Sequence, residues 1–199
     1  MITIKKNDGT ILGESLVEAE QDDYDNKNDY KTVWLSQSES GICSIGHGSC
    51  YAVIIKNRHD TALMHLSALA PNSEETISKI ISYFKKYYSK DPVEVVLGRS
   101  IEGYTVDWAR VKERDESSVL QSPEEYFKSI DEEYLKFFYD EFEIIPKIIN
   151  LPHYLLQIDK TGTIFTYSDE AEVTFEELDS SDSDVASDEA ASSSTPMNR

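Results

Sequence analysis

The stretch that decides the fold is Gly46-His47-Gly48-Ser49-Cys50-Tyr51-Ala52-Val53-Ile54-Ile55-Lys56-Asn57-Arg58-His59-Asp60-Thr61-Ala62-Leu63-Met64-His65-Leu66. Tyr51 to Ile55 is a continuous apolar run rich in β-branched residues, the pattern of a buried strand. Asn57 to Asp60 is turn chemistry. Thr61 to Leu66 is then the returning strand. A four-residue loop at 57–60 sets Lys56 opposite Thr61, so Ala52 faces His65. Cys50 lies two residues from Ala52 and shares its face. His65 becomes the diagonal neighbour of Cys50, within reach of an imidazole. A one-residue slip would send His65 to the opposite face, so the pair depends on this register.

Outward from this hairpin, the chain reads as strands, helix, strands, helix, hairpin. Residues 2–5 and 10–12 flank Asn7-Asp8-Gly9, a hairpin signal. Thr32 to Leu35 reads as a short strand, and residues 41–49 as a strand running into a glycine-rich turn. Ser73 is an N-cap candidate for a helix with Ile77, Ile80, Ile81 and Phe84 on its apolar stripe. Val93 to Leu97 is a buried strand ending at Gly98, and residues 104–112 are a further strand candidate. Ser122 followed by Pro123 opens a second helix, with Tyr126, Phe127, Ile130, Tyr134 and Phe138 as a core stripe. His153 to Ile158 and Thr163 to Tyr167 flank Lys160-Thr161-Gly162 as a closing hairpin. The expected class is α+β, a mixed α/β sandwich of largely antiparallel mixed sheets flanked by two main helices.

Charge and composition set the boundaries. The 199 residues hold 38 acidic and 19 basic side chains, a formal net charge of −19. Residues 168–199 hold ten of the acids and one arginine, net −9, which leaves −10 on residues 1–167. The chain divides accordingly into a folded domain at 1–167, with an acidic insert at about 18–29, and an acidic Ser-rich tail at 168–199 expected to be disordered. The pI near 4.5 argues against a nucleic-acid partner, since phosphates would be repelled. No apolar run suits a membrane span. The first residues lack the apolar core of a secretory signal. Two cysteines without zinc spacing provide neither a disulfide framework nor a metal site, and no cofactor is expected.

A cysteine after a Gly/Ser turn can be partly exposed with backbone N–H groups nearby, features that favour a thiolate and stabilise an oxyanion. A histidine within reach serves as general base. The nucleophile candidate is Cys50 and the base candidate is His65. His47 and Ser49 are candidates to contact substrate, although a loop histidine is commonly solvated. Cys43, between Ile42 and Ser44, reads as a small buried hydrophobe. His59 reads as a turn residue.

These residues carry a resemblance. Ser44-Ile45-Gly46-His47-Gly48-Ser49-Cys50-Tyr51-Ala52-Val53, followed by Ala62-Leu63-Met64-His65, resembles the CheD-like glutamine deamidases. Deamidase toxins of the Burkholderia lethal factor and cytotoxic necrotizing factor types share the arrangement. The resemblance covers roughly residues 32–167. It places Cys50 at the nucleophile, His65 at the base, and Ser44 where the family has a catalytic threonine. Thr61-Ala62 stands where CheD has a glycine pair. The resemblance implies a cysteine-dependent protein-glutamine deamidase working through a thioester, in a bacterial effector or toxin acting on a host protein. The Glu176-Glu177 tail is similar to C-terminal signals of type IV secretion substrates. Delivery from the bacterial cytoplasm to the host cytosol without a signal peptide is the matching expectation. The alternatives are another cysteine hydrolase or a transglutaminase, and a non-catalytic acidic protein that binds its partner.

Overall fold

A computed structural model describes residues 2–20, 32–67, 73–105, 109, 122–152, 155–167 and 171–175. The strands are β1 (Ile2–Lys6), β2 (Ile11–Glu18), β3 (Val33–Trp34), β4 (Gly41–Ile45), β5 (Cys50–Lys56), β6 (Thr61–Ser67), β7 (Glu94–Arg99), β8 (Lys147–Asn150), β9 (Leu155–Asp159), β10 (Ile164–Thr166) and β11 (Ala171–Phe175). The two long helices are α1 (Ser73–Tyr88) and α2 (Pro123–Phe142). The class is α+β, as expected.

The strands make two sheets, ordered β3-β6-β5-β7-β8 and β10-β9-β4-β2-β1-β11. Among the described residues, β2–β4 and β7–β8 pair in parallel and the other pairs are antiparallel. The central hairpin has the anticipated register: Lys56 faces Thr61, and Ala52 faces His65. Its loop is closed by the Asn57 N–H donating to the Asp60 carbonyl at 3.1 Å, while the Asn57 carboxamide oxygen accepts from the His59 and Asp60 N–H groups. That asparagine turn holds the loop at four residues, and the loop length holds the register.

Strand alternation sorts the hairpin between two cores. Tyr51, Val53, Ile55, Met64 and Leu66 face the helices, packing on Ile77, Ile81 and Phe84 of α1 and Phe127, Ile130 and Phe138 of α2. Ala52, Ile54 and Leu63 face the second sheet and meet Ile42, Leu156 and Ile158. The five-stranded sheet is therefore the middle layer, and its central strand β5, buried on both faces, is a continuous apolar run. α2 starts on a capping box: Ser122 Oγ accepts from the Glu125 N–H, and the Glu125 carboxylate accepts from the Ser122 N–H, both at 3.2 Å. Pro123 occupies the first helical position, where no donor is needed.

Several expectations are corrected. Residues 101–105 are helical, not part of a strand. The Ser100 Oγ accepts from the Gly103 N–H and the Ser100 carbonyl from the Tyr104 N–H, so a cap overrides the β propensity of Tyr104 and Thr105. The remainder of 104–112, Trp108 included, lies outside the described residues except residue 109. α1 begins at Ser73 itself, so its cap position falls on residue 72, outside them. Only Val33–Trp34 is extended in the early segment, and Leu35–Gln37 is a turn of 3-10 helix. β2 runs through Glu18, into the segment read as an acidic loop; residues 21–31 are outside the described residues. β8 (Lys147–Asn150) was not anticipated.

The domain boundary also moves. Ala171–Phe175 pairs antiparallel with β1, from Ile2 opposite Phe175 to Lys6 opposite Ala171. The segment assigned to a disordered tail therefore starts with an edge strand of the second sheet. Its Ala-Glu-Val-Thr-Phe alternation has period two, a local signal that the acidic composition of the whole tail obscured. Residues 176–199 lie outside the described residues.

Candidate active site

The turn before β5 has a specific geometry. Gly46 has φ +83°, a left-handed conformation suited to glycine. The Gly48 N–H donates to the Gly46 carbonyl at 2.9 Å, closing a γ-turn with His47 at its centre. His47 is thereby turned inward: it is 0 % exposed, not solvated as loop histidines commonly are. Its ring stacks on that of His65, centroids 4.1 Å apart and planes tilted by 31°.

Cys50 opens β5 opposite Ser67, with His65 on the diagonal beside Ala52. Both are buried. By alternation they share the face that meets the second sheet. Across the middle sheet the row continues from His65 through Ala52 to Gly98. Two small residues beside the histidine keep this layer shallow, and the Leu151 side chain covers Gly98, where a Cβ would meet it at 3.0 Å.

Ser44 lies on β4 opposite Leu156, on the face of Ile42, and so looks into the same layer. Its hydroxyl donates to the Ala19 carbonyl at 3.2 Å. Neither nitrogen of His65 nor of His47 has a hydrogen-bond partner among the described residues. Ser44 therefore does not orient His65 by a hydrogen bond, and the Cys50 thiol is a diagonal neighbour of the imidazole rather than its bonded partner. The structure brings Ser44, His47, Cys50 and His65 to one inter-sheet layer. Cys43 points the other way, into a core of Ile2, Ile4, Leu16 and Leu155.

Burial governs the electrostatics. It lowers His65 from its ordinary 6.5 to about 4. It also holds His47 well below the usual histidine value, and the neighbouring His65 adds to that. Both rings are neutral near pH 7. Burial, and then the charge of Glu18, push the Cys43 thiol up to about 12, which makes it a poor nucleophile.

Tyr126 was read as part of the core stripe of α2, but it is only half-buried and belongs to the rim of this site. Its hydroxyl is raised by burial first and then by the charge of the Cys50 thiol, and a hydrogen bond with Ser49 lowers it. Its ring stacks on Tyr104 at 4.4 Å. No helical periodicity distinguishes such a residue from its core neighbour Phe127; the only signal is its place one step off the 127-130-134-138 stripe.

Beneath the site, Tyr51 donates to Asp131 at 2.8 Å and Arg99 pairs with the other carboxylate oxygen at 3.0 Å. This buried group ties β5 and β7 to α2 immediately next to Cys50. Among the described residues no group of three or more His, Cys, Asp or Glu is placed to hold a metal ion, and no helix is long and apolar enough to cross a membrane. His153 lies outside them. No family model matches the chain, and neither does any curated protein. The resemblance to the CheD-like deamidases rests on the residues quoted for it.

Proposed function

We propose that the protein is a cysteine-dependent protein-glutamine deamidase. The observation that carries the reading is the register of the β5–β6 hairpin, which sets Cys50 and His65 diagonally on one face at the mouth of a glycine turn. Neutral His65 takes the Cys50 proton, and the thiolate attacks the carbon of a glutamine side-chain amide. Backbone N–H groups at Cys50 hold the oxyanion. His65 returns the proton to the leaving ammonia, and a thioester remains. Water, deprotonated by His65, hydrolyses the thioester to glutamate and restores the thiol. Ser44, bonded to Ala19, holds the end of β4 against this layer; the ring of His65 is kept in place by its stack on His47. No cofactor takes part. The substrate is a protein, and the reading extends to an effector delivered from a bacterium to act on a host protein.

The test is mass spectrometry of protein mixtures incubated with wild type and with Cys50→Ala. Conversion of a glutamine to glutamate by the wild type alone supports the reading. An amine joined to that glutamine marks transglutamination by the same thioester. An effect on a partner that persists in a folded Cys50→Ala variant, with no glutamine altered, overturns it in favour of binding alone.

A further inference from the structure

We infer that His47 is a substrate-contacting residue that recognises a primary carboxamide, through a buried ring whose two nitrogens are unpartnered beside those of His65. The inference rests on the deamidase reading and adds to it the residue that selects the primary amide.

Several other buried polar side chains have partners within the protein. Ser44, Asp60, Ser100, Asp131 and Gln157 each hydrogen-bond within the protein. His47 and His65 are as buried as these, yet all four ring nitrogens lack a protein partner among the described residues. Buried polar atoms are costly when unpaired, and an apolar side chain would fill the place of His47 without that cost. The γ-turn across Gly46–Gly48 directs this side chain inward, three residues before the nucleophile. Nothing in the turn requires a polar residue there.

The donor and acceptor pattern identifies the ligand class. Each neutral imidazole offers one N–H donor and one bare nitrogen acceptor. A primary carboxamide has two N–H donors and one carbonyl acceptor, so it is complementary to such a pair. A secondary or tertiary amide lacks one or both donors. An ester lacks both. A site that supplies an acceptor for an amide N–H rejects analogues without it, because its own buried atom stays unpaired. Cys50 is diagonal to His65 on the same face, which puts the nucleophile beside the paired rings.

Alkylation of Cys50 tests this without any glutamine conversion. Rates are measured with 2-iodoacetamide and with 2-iodo-N,N-dimethylacetamide, each divided by its rate with a free thiol. The thiolate displaces iodide in both, and only the first reagent carries amide N–H donors. Wild type is expected to favour 2-iodoacetamide by about fivefold or more, the ratio given by one ordinary hydrogen bond. In His47→Leu the ratio falls to that of the free thiol. A preference that survives in His47→Leu does not come from His47 and overturns the inference. So does a wild-type ratio equal to that of the free thiol. So does a Cys50 that neither reagent labels, since a layer that excludes 2-iodoacetamide cannot admit glutamine. If His47→Leu does not fold, nitrogen NMR of the wild-type histidines decides. Propionamide should shift the His47 ring signals and N,N-dimethylpropionamide should not; unmoved signals overturn the inference. A protein that shows the His47-dependent preference but converts no glutamine refutes the deamidase reading and leaves this one standing.

Discussion

Acidification should destabilise this protein through the histidine pair, by an amount that His65 allows to be worked out. At neutral pH the ring is uncharged both in the folded and in the unfolded chain. As pH falls below the ordinary value of 6.5, the unfolded chain takes up a proton that the folded chain refuses until about pH 4. Stability present above the unfolded value is therefore lost between about 6.5 and about 4, with no further loss below. Two and a half pK units correspond to about 3 kcal/mol in full, and to about 2 kcal/mol by about pH 4.5. His47, lowered by burial and by His65, adds a loss of the same sign. The assay is urea unfolding of wild type and His65→Leu at about pH 7 and about pH 4.5. Leucine suits the layer of Ala52, Ile54 and Leu63 and has no proton to gain. The many carboxylates titrate in both proteins and cancel in the comparison. The wild type should lose about 2 kcal/mol more than the variant over this interval. A parallel loss in the two proteins would refute the argument that burial keeps this ring neutral.

Three further outcomes are expected. Asp131→Ala removes the acceptor of the Tyr51 hydroxyl and the partner of the partly buried Arg99 at once; chemical denaturation should show a loss of about 2 to 3 kcal/mol. Gly41→Ala forces an L side chain to adopt φ +125° with its Cβ 2.6 Å from the Ile158 carbonyl oxygen, so a loss of about 2 to 3 kcal/mol is expected in the same assay. Cys43, buried with its thiol at about 12, should resist alkylation in the native protein and react with iodoacetamide only once denaturant unfolds it, as peptide mapping would show.

Locally coded features were legible in the chain. The Asn57–Asp60 turn carries its own hydrogen-bond acceptor in the Asn57 side chain, so loop length, register and the diagonal placement of Cys50 and His65 all came from one stretch. The start of α2 was visible in the same way, as Ser122 followed by Pro123, while the reciprocal bond with Glu125 is a finding of the structure. The errors lie where local preference met a competing partner. Tyr104 and Thr105 have strand-forming side chains, but the Ser100 cap drew them into a helix. Ala171–Phe175 lay within a region judged by its total charge, while the open edge of β1 supplied the backbone partners that made it a strand.

What the sequence determined by itself was the centre of the middle layer: the apolar, β-branched run at 51–55, its return strand at 61–66 across an asparagine turn, the strand at 93–97, and two helices whose stripes cover one face of them. Only the tertiary structure decided what occupies the other face. The stack of His47 on His65, the diversion of the Ser44 hydroxyl to Ala19 and the arrival of Tyr126 at the rim all join residues distant along the chain. No local periodicity encodes such contacts. They arise when two sheets close on one another and remove from water the polar atoms between them, so that burial rather than residue type sets their protonation and their need for a partner.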